Sequence, residues 1–308
     1  MPSKVLYYDG QEIHTKDLHE FVRALAWDWE GNSLILIGNR GLVLKIQNDM
    51  IESLDLNTRA NLRAVSVNPA DGRTLIVGNA GTAILLDGQR KIEKLTLPTF
   101  ENLRTVSWNS DGSSALMGGN NGTLLKYSQQ EIEALEAGRS NVRHISWHPK
   151  SRTALIVSNC FAEEFIPSPN LHMYDEETAT VKPLNEGRAD LIGVDWKPTG
   201  ELALVVGYDV IWHNGFLASF EGSTLSPIRL ERKRVYPVAI AWHKSAPLAA
   251  IVTSTSQMGV AKGAVFLWEN NSLNEIYSHA RFFFSDVGWN DNGMLAAVAS
   301  TKSRTFNS

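Results

Sequence analysis

The sequence predicts an all-β fold, a seven-bladed β-propeller with four antiparallel strands in each blade. Three observations predict it. One strand–turn–strand pattern recurs seven times, its spacing matches a four-stranded blade, and an orphan hairpin at the N-terminus matches an outer hairpin inside the repeat.

Each repeat opens on an alternating strand that ends in an aromatic or apolar anchor. The anchors are Trp27, Val67, Trp108, Trp147, Trp196, Trp242 and Trp289. By subtraction of their positions they lie 40, 41, 39, 49, 46 and 47 residues apart, near the roughly 40–45 residues of a propeller blade. A polar turn follows the anchor. Asn68-Pro69-Ala70-Asp71-Gly72, Asn109-Ser110-Asp111-Gly112, Lys197-Pro198-Thr199-Gly200 and Asn290-Asp291-Asn292-Gly293 all tolerate tight turns and positive φ. The next strand is short and apolar, as in Leu75-Ile76-Val77 or Leu155-Ile156-Val157, and too β-branched to prefer helix.

A second hairpin recurs in register, for example 123–127 followed by 132–135, so six blades are complete. The seventh begins at Ser285 and runs out after two strands near Ser300. Its missing half stands at the other end of the chain. Val5-Leu6-Tyr7-Tyr8-Asp9-Gly10-Gln11 matches Ile84-Leu85-Leu86-Asp87-Gly88-Gln89, and Glu12-Ile13-His14 supplies a last strand. Residues 5–14 are therefore expected to complete the C-terminal blade by pairing with the strands around Trp289. An open ring would leave long unpaired strand edges.

Bulk properties agree with one propeller domain over residues 1–308. The chain is 43% hydrophobic and 20% charged, the balance of a soluble globular protein. A net charge of −4 is a poor match to nucleic acid. Cys160 is the only cysteine, which suits a reducing compartment. Residues 1–20 carry Asp9, Glu12, Asp17 and Glu20 and do not read as a signal peptide. No run approaches the roughly 18 apolar residues of a membrane span. A soluble cytoplasmic protein with no membrane contact is expected.

The stretch Leu103-Arg104-Thr105-Val106-Ser107-Trp108-Asn109-Ser110-Asp111-Gly112, followed by Ala115 to Tyr127, resembles a WD40 repeat. The resemblance covers the whole chain at the level of pattern and implies the propeller. The chain departs from that family in two ways. No blade carries Gly-His before its first strand, and none ends its third strand in Trp-Asp; the nearest is Phe266-Leu267-Trp268-Glu269.

Two constellations are candidates for function. Arg23, Arg63, Arg104 and Arg143 each stand four residues before an anchor, where the later blades have Ile192, Val238 and Ser285. Guanidiniums along one arc of a ring could bind carboxylate, phosphate or an acidic peptide bidentately. The structural alternative is a repeat residue bonding a neighbouring blade's carbonyls. The second constellation is a set of long links in blades four to six, at 158–170, 208–215 and 253–263. They carry Phe161, Phe165, Ile166, Pro167, Tyr208, Ile211, Trp212, His213 and Met258. Aromatic residues on loops make contact anchors, or they fold back and cap the channel.

Chemistry is sparse. Asp195, His144 and His213 form the one acid/base set worth naming. His144 and His148, four apart on a strand, are too far apart to chelate one ion. Cys160 with His172 and Glu163-Glu164 shows no nucleophile signature. The run Asp175-Glu176-Glu177 reads as a solvated turn. The sequence therefore points to a non-enzymatic scaffold without cofactor or metal, binding a protein or an acidic peptide on one face. The alternatives are a channel-mouth enzyme or small-molecule binder, and a weak polyanion binder.

Overall fold

The computed structural model describes residues 3–88, 91–159, 167–209, 211–230, 235–257 and 260–301. Cys160, Phe161, Phe165, Ile166 and Met258 lie outside them. The described residues form seven four-stranded antiparallel sheets. Their inner strands are Val22–Trp27, Leu62–Val67, Leu103–Trp108, Val142–Trp147, Ala189–Trp196, Pro237–Trp242 and Phe282–Trp289. Each inner strand contacts the next and the last contacts the first, so the sheets close into a ring.

Burial explains the repeat. Seven apolar clusters fill the seven gaps between neighbouring blades. Second strands such as Leu34–Gly38 and Thr74–Gly78 are buried along their whole length, because both of their faces meet another blade. That is why they read as unbroken apolar runs. Each anchor packs against the preceding blade. The indole N–H groups of Trp27, Trp147, Trp242 and Trp289 donate to the carbonyls of Gly288, Ser107, Asp195 and Ala241 on that neighbour at 3.0–3.1 Å. These bonds stitch neighbouring blades together.

Closure follows the expected two-plus-two scheme. Ser3–Tyr8 pairs with Leu295–Thr301, the second strand of the last blade, which follows Trp289. The outer strand runs over Ile13–Leu18, past the expected stop at His14, and Leu18 is buried. The blade order is outer hairpin, Leu295–Thr301, Phe282–Trp289.

Two further expectations change. The long link of blade six is mostly strand, and so is half of that of blade five. Ala203–Asp209 pairs with Asn214–Glu221 up to Asp209↔Asn214. Leu248–Gln257 pairs with Val260–Glu269 up to Gln257↔Val260. The extra residues lengthen hairpins, because backbone groups that pair in a ladder need no other partner. The acidic run is not fully solvated either. The Glu176 side chain is 7% exposed and lies 3.3 Å from Lys126 Nζ, and it accepts from Ser114 Oγ at 2.6 Å. It ties blade four to blade three.

The links of blades one to three are tight for a steric reason. The N–H groups of Gly41, Gly81 and Gly122 donate to Ala60, Glu101 and Ser140, in the segments that lead to the next inner strands. At Gly122, φ is 69°, and an added Cβ would stand 1.8 Å from the Gly138 carbonyl oxygen. Gly122→Ala is expected to cost about 2–4 kcal/mol, the left-handed backbone and the clash together. A change below about 0.5 kcal/mol in urea unfolding would contradict this account.

Candidate functional site

The four arginines do not sit in the regular ladder. In each inner strand the register shifts at one position, between Val22 and Ala24, Leu62 and Ala64, Leu103 and Thr105, and Val142 and His144. The residue skipped is the arginine. The other three blades skip Ile192, Val238 and Ser285. A bulge leaves one residue unpaired and re-aims its side chain. Here all seven bulged positions line one central cavity of about 480 Å³ at the mouth of the channel.

Each of the first three arginines is braced. Arg23 Nε donates to Asn39 Oδ1 at 2.7 Å, Arg63 Nε to Asn79 Oδ1 at 2.8 Å, and Arg104 Nε to Asn120 Oδ1 at 2.5 Å. The asparagines stand sixteen residues after their arginines, in the link between the second and third strands of the same blade. The structural alternative was a bond to a neighbouring blade's carbonyl, and the observed partner is instead a side chain of the arginine's own blade. A bond at Nε leaves the two terminal nitrogens of the fork available. Arg143 departs from the pattern. Asn159, sixteen residues on, gives its amide N–H to Asp190 Oδ2 at 3.1 Å, and its own Oδ1 is buried without a partner.

Among the described residues no carboxylate lies within 4 Å of any of the four guanidiniums. The arginine level of the pocket is therefore a concentration of like charge. Burial first, and then Arg23, Arg104 and Arg143, hold Arg63 below the usual arginine range. Burial and then Arg104 depress Arg143, with Asp190 opposing. Burial depresses Arg23, whose guanidinium also lies 5.0 Å from the Phe21 ring centroid. Arginine stays charged through such shifts.

The aromatic candidates stand at the same end of the ring. Asp190, which takes the Asn159 amide, pairs directly with Tyr208. The Tyr208 hydroxyl shares a hydrogen bond with His213 Nδ1. Tyr236 packs on Tyr208 with ring centroids 5.2 Å apart and donates its hydroxyl to the His213 carbonyl at 2.9 Å. These three fold on one another. Trp212 does not; it is 74% exposed, at the tip of a turn held by Asp209 Oδ1. A residue the sequence reading passed over, Phe100, is 91% exposed. It stands beside Glu101, whose carbonyl anchors Gly81 at this same end.

The acid/base set does not converge. Asp195 and His144 line the cavity, while His213 belongs to the aromatic group. Asp195 accepts from Ser146 Oγ at 3.0 Å and from the Trp242 N–H at 2.8 Å. Burial holds its carboxyl above the usual range. His144 Nδ1 donates to the Val194 carbonyl at 3.0 Å, and burial depresses it. Both are engaged in bonds between blades. No group of three or more metal-ligating side chains occurs among the described residues. No helix there is long and apolar enough to cross a membrane.

No family model matches the chain, and no curated protein matches it. Solved structures do. A chain of hydrazine synthase from Kuenenia stuttgartiensis superposes with a TM-score of 0.71 at 13% identity, over 92% of this chain and 98% of that one. U3-55K superposes with a TM-score of 0.71 at 7% identity, over 92% and 97%. At such identities the likeness is one of fold. Together with the seven closed sheets it makes this chain a seven-bladed β-propeller. Its blades are four-stranded and its mouth is lined by arginines.

Proposed function

We propose that the chain is a non-enzymatic scaffold that binds a protein or peptide at the arginine end of the ring, and that the ligand is acidic. One observation carries the reading. Four bulge-directed guanidiniums line one cavity, and no carboxylate of the described residues lies within 4 Å of them. Trp212 offers an apolar contact on the rim, with Phe100 exposed at the same end. Tyr208 and His213 support the Trp212 turn. Phe161 and Phe165, proposed with them, lie outside the described residues. The compartment proposed is the cytoplasm, on cysteine use.

The second reading, catalysis or small-molecule binding at the mouth, rests on His144 and Asp195 lining the cavity. It is less favoured because their polar atoms already bond across blades.

The test is fluorescence anisotropy of a labelled oligoglutamate peptide with wild type and with the double variant Arg63→Glu, Arg104→Glu. Charge-assisted contacts contribute about 1.5–3 kcal/mol each, so the double variant is expected to bind at least about 100-fold more weakly. Undiminished binding by a folded double variant would remove the arginine role.

A further inference from the structure

The cavity changes sign with depth. One position past the bulge, Ala24, Ala64, Gly193 and Ala239 are too small to fill it. At this level the wall holds Asp286. Its place is fixed by two bonds, from the Leu25 N–H to Oδ2 and from the Val287 N–H to Oδ1, both 2.9 Å. Leu25 lies two residues further along its strand than Arg23, whose guanidinium is tied outward to Asn39. The carboxyl thus sits below the cationic mouth.

No basic nitrogen of the described residues lies within 4 Å of Asp286. Burial pushes it up to about 7, and only backbone N–H groups oppose that. Asp195, the other carboxyl on the wall, differs, because Lys244 and His144 offset it. A carboxylate without a counterion on a cavity wall favours a cation arriving from outside.

We propose, resting on the acidic-ligand reading above, that the cavity takes a mixed-charge segment of a partner protein. Acidic side chains occupy the arginine arc, and one lysine between them in sequence reaches down to Asp286. Lysine fits better than arginine. Each Asp286 oxygen already accepts one backbone N–H, and a compact ammonium needs only one remaining lone pair, whereas a guanidinium fork needs both oxygens along one edge. The acidic neighbours are required, because four guanidiniums repel a lone cation at the mouth.

Titration calorimetry tests this with three synthetic peptides: one lysine flanked by two glutamates on each side, the same peptide with norleucine for lysine, and the lysine flanked by alanines. Wild type is expected to bind the first at least about tenfold more tightly than the second, and not to bind the third. Asp286→Asn is expected to bind the first two equally. The norleucine swap uses the unaltered protein, so it stands even if the variant misfolds. Equal affinity of wild type for lysine and norleucine peptides overturns the lysine site. If Arg63→Glu with Arg104→Glu still abolishes both, the acidic-ligand reading survives; if it abolishes neither, that reading falls. Binding of the first peptide weaker than about 1 mM overturns the proposal as well.

Discussion

Deletion of residues 3–18 is expected to leave the chain unfolded, although the deletion removes none of the first six blades. The hairpin supplies half of the last blade. Val5, Leu6 and Leu18 are buried to 2% exposure or less, and burying three such side chains contributes roughly 5–9 kcal/mol. Ser3 Oγ also accepts the Val22 N–H at 3.0 Å, tying the hairpin to the first inner strand. Total stability of a folded protein is about 5–15 kcal/mol, so the loss is of the same size as the whole. It also bares the edge of Leu295–Thr301, which invites aggregation. Circular dichroism of the truncated chain would show lost cooperativity. A peptide of residues 1–20 added in trans is expected to restore it. A truncated chain that melts within a few degrees of the full one would show that the ring does not need this closure.

The second large effect is a dependence of stability on pH centred on Asp286. Its folded pKa, pushed up to about 7 by burial, stands above the roughly 3.9 of an exposed aspartate. The folded state therefore holds the proton more tightly. The stability this proton contributes is complete below about pH 4 and is lost as pH rises through about 7. The shift corresponds to roughly 4 kcal/mol. Asp286→Asn removes the ionisation but keeps an oxygen for the Leu25 N–H, while the acceptor for Val287 costs about 1 kcal/mol. The variant is thus expected to gain roughly 2–4 kcal/mol over wild type at pH 8 and to lose that advantage by pH 4. Urea titrations at pH 4, 6 and 8 decide the matter. Parallel profiles for the two proteins would mean that Asp286 is ionised in the fold at ordinary cost.

The ring and its closure were legible because both depend on local pattern. Second strands sandwiched between blades must be apolar on both faces, and the anchors must return at blade length. The hairpin at 5–14 betrayed itself by matching a complete blade, though its end at Leu18 did not. The extended hairpins were read as loops because Thr253-Ser254-Thr255 is polar and Tyr208-Asp209 resembles a turn. Only partner strands at matching positions make such residues strand, and a single sequence does not display the match. The arginine set was visible as a repeat, but its orientation was not, since a bulge depends on the pairing of two strands. The bracing asparagines Asn39, Asn79 and Asn120 stand sixteen residues after Arg23, Arg63 and Arg104, a spacing visible in the sequence but without meaning until the two strands between are paired. Asp286 gave no signal of its own. A buried acid looks like any other until three dimensions surround it.

The bulge that recurs in every inner strand separates two jobs that a sheet normally couples. Elsewhere in a ladder, changing a side chain alters cross-strand contacts on which the blade depends. At the bulge the residue belongs to no pair, so it can be exchanged while the ladder on either side keeps its register. The ring thus behaves like a combination lock with seven dials, set here to Arg, Arg, Arg, Arg, Ile, Val and Ser. Such an arrangement allows the mouth to be rewritten one dial at a time, by divergence or by engineering, on an unchanged frame.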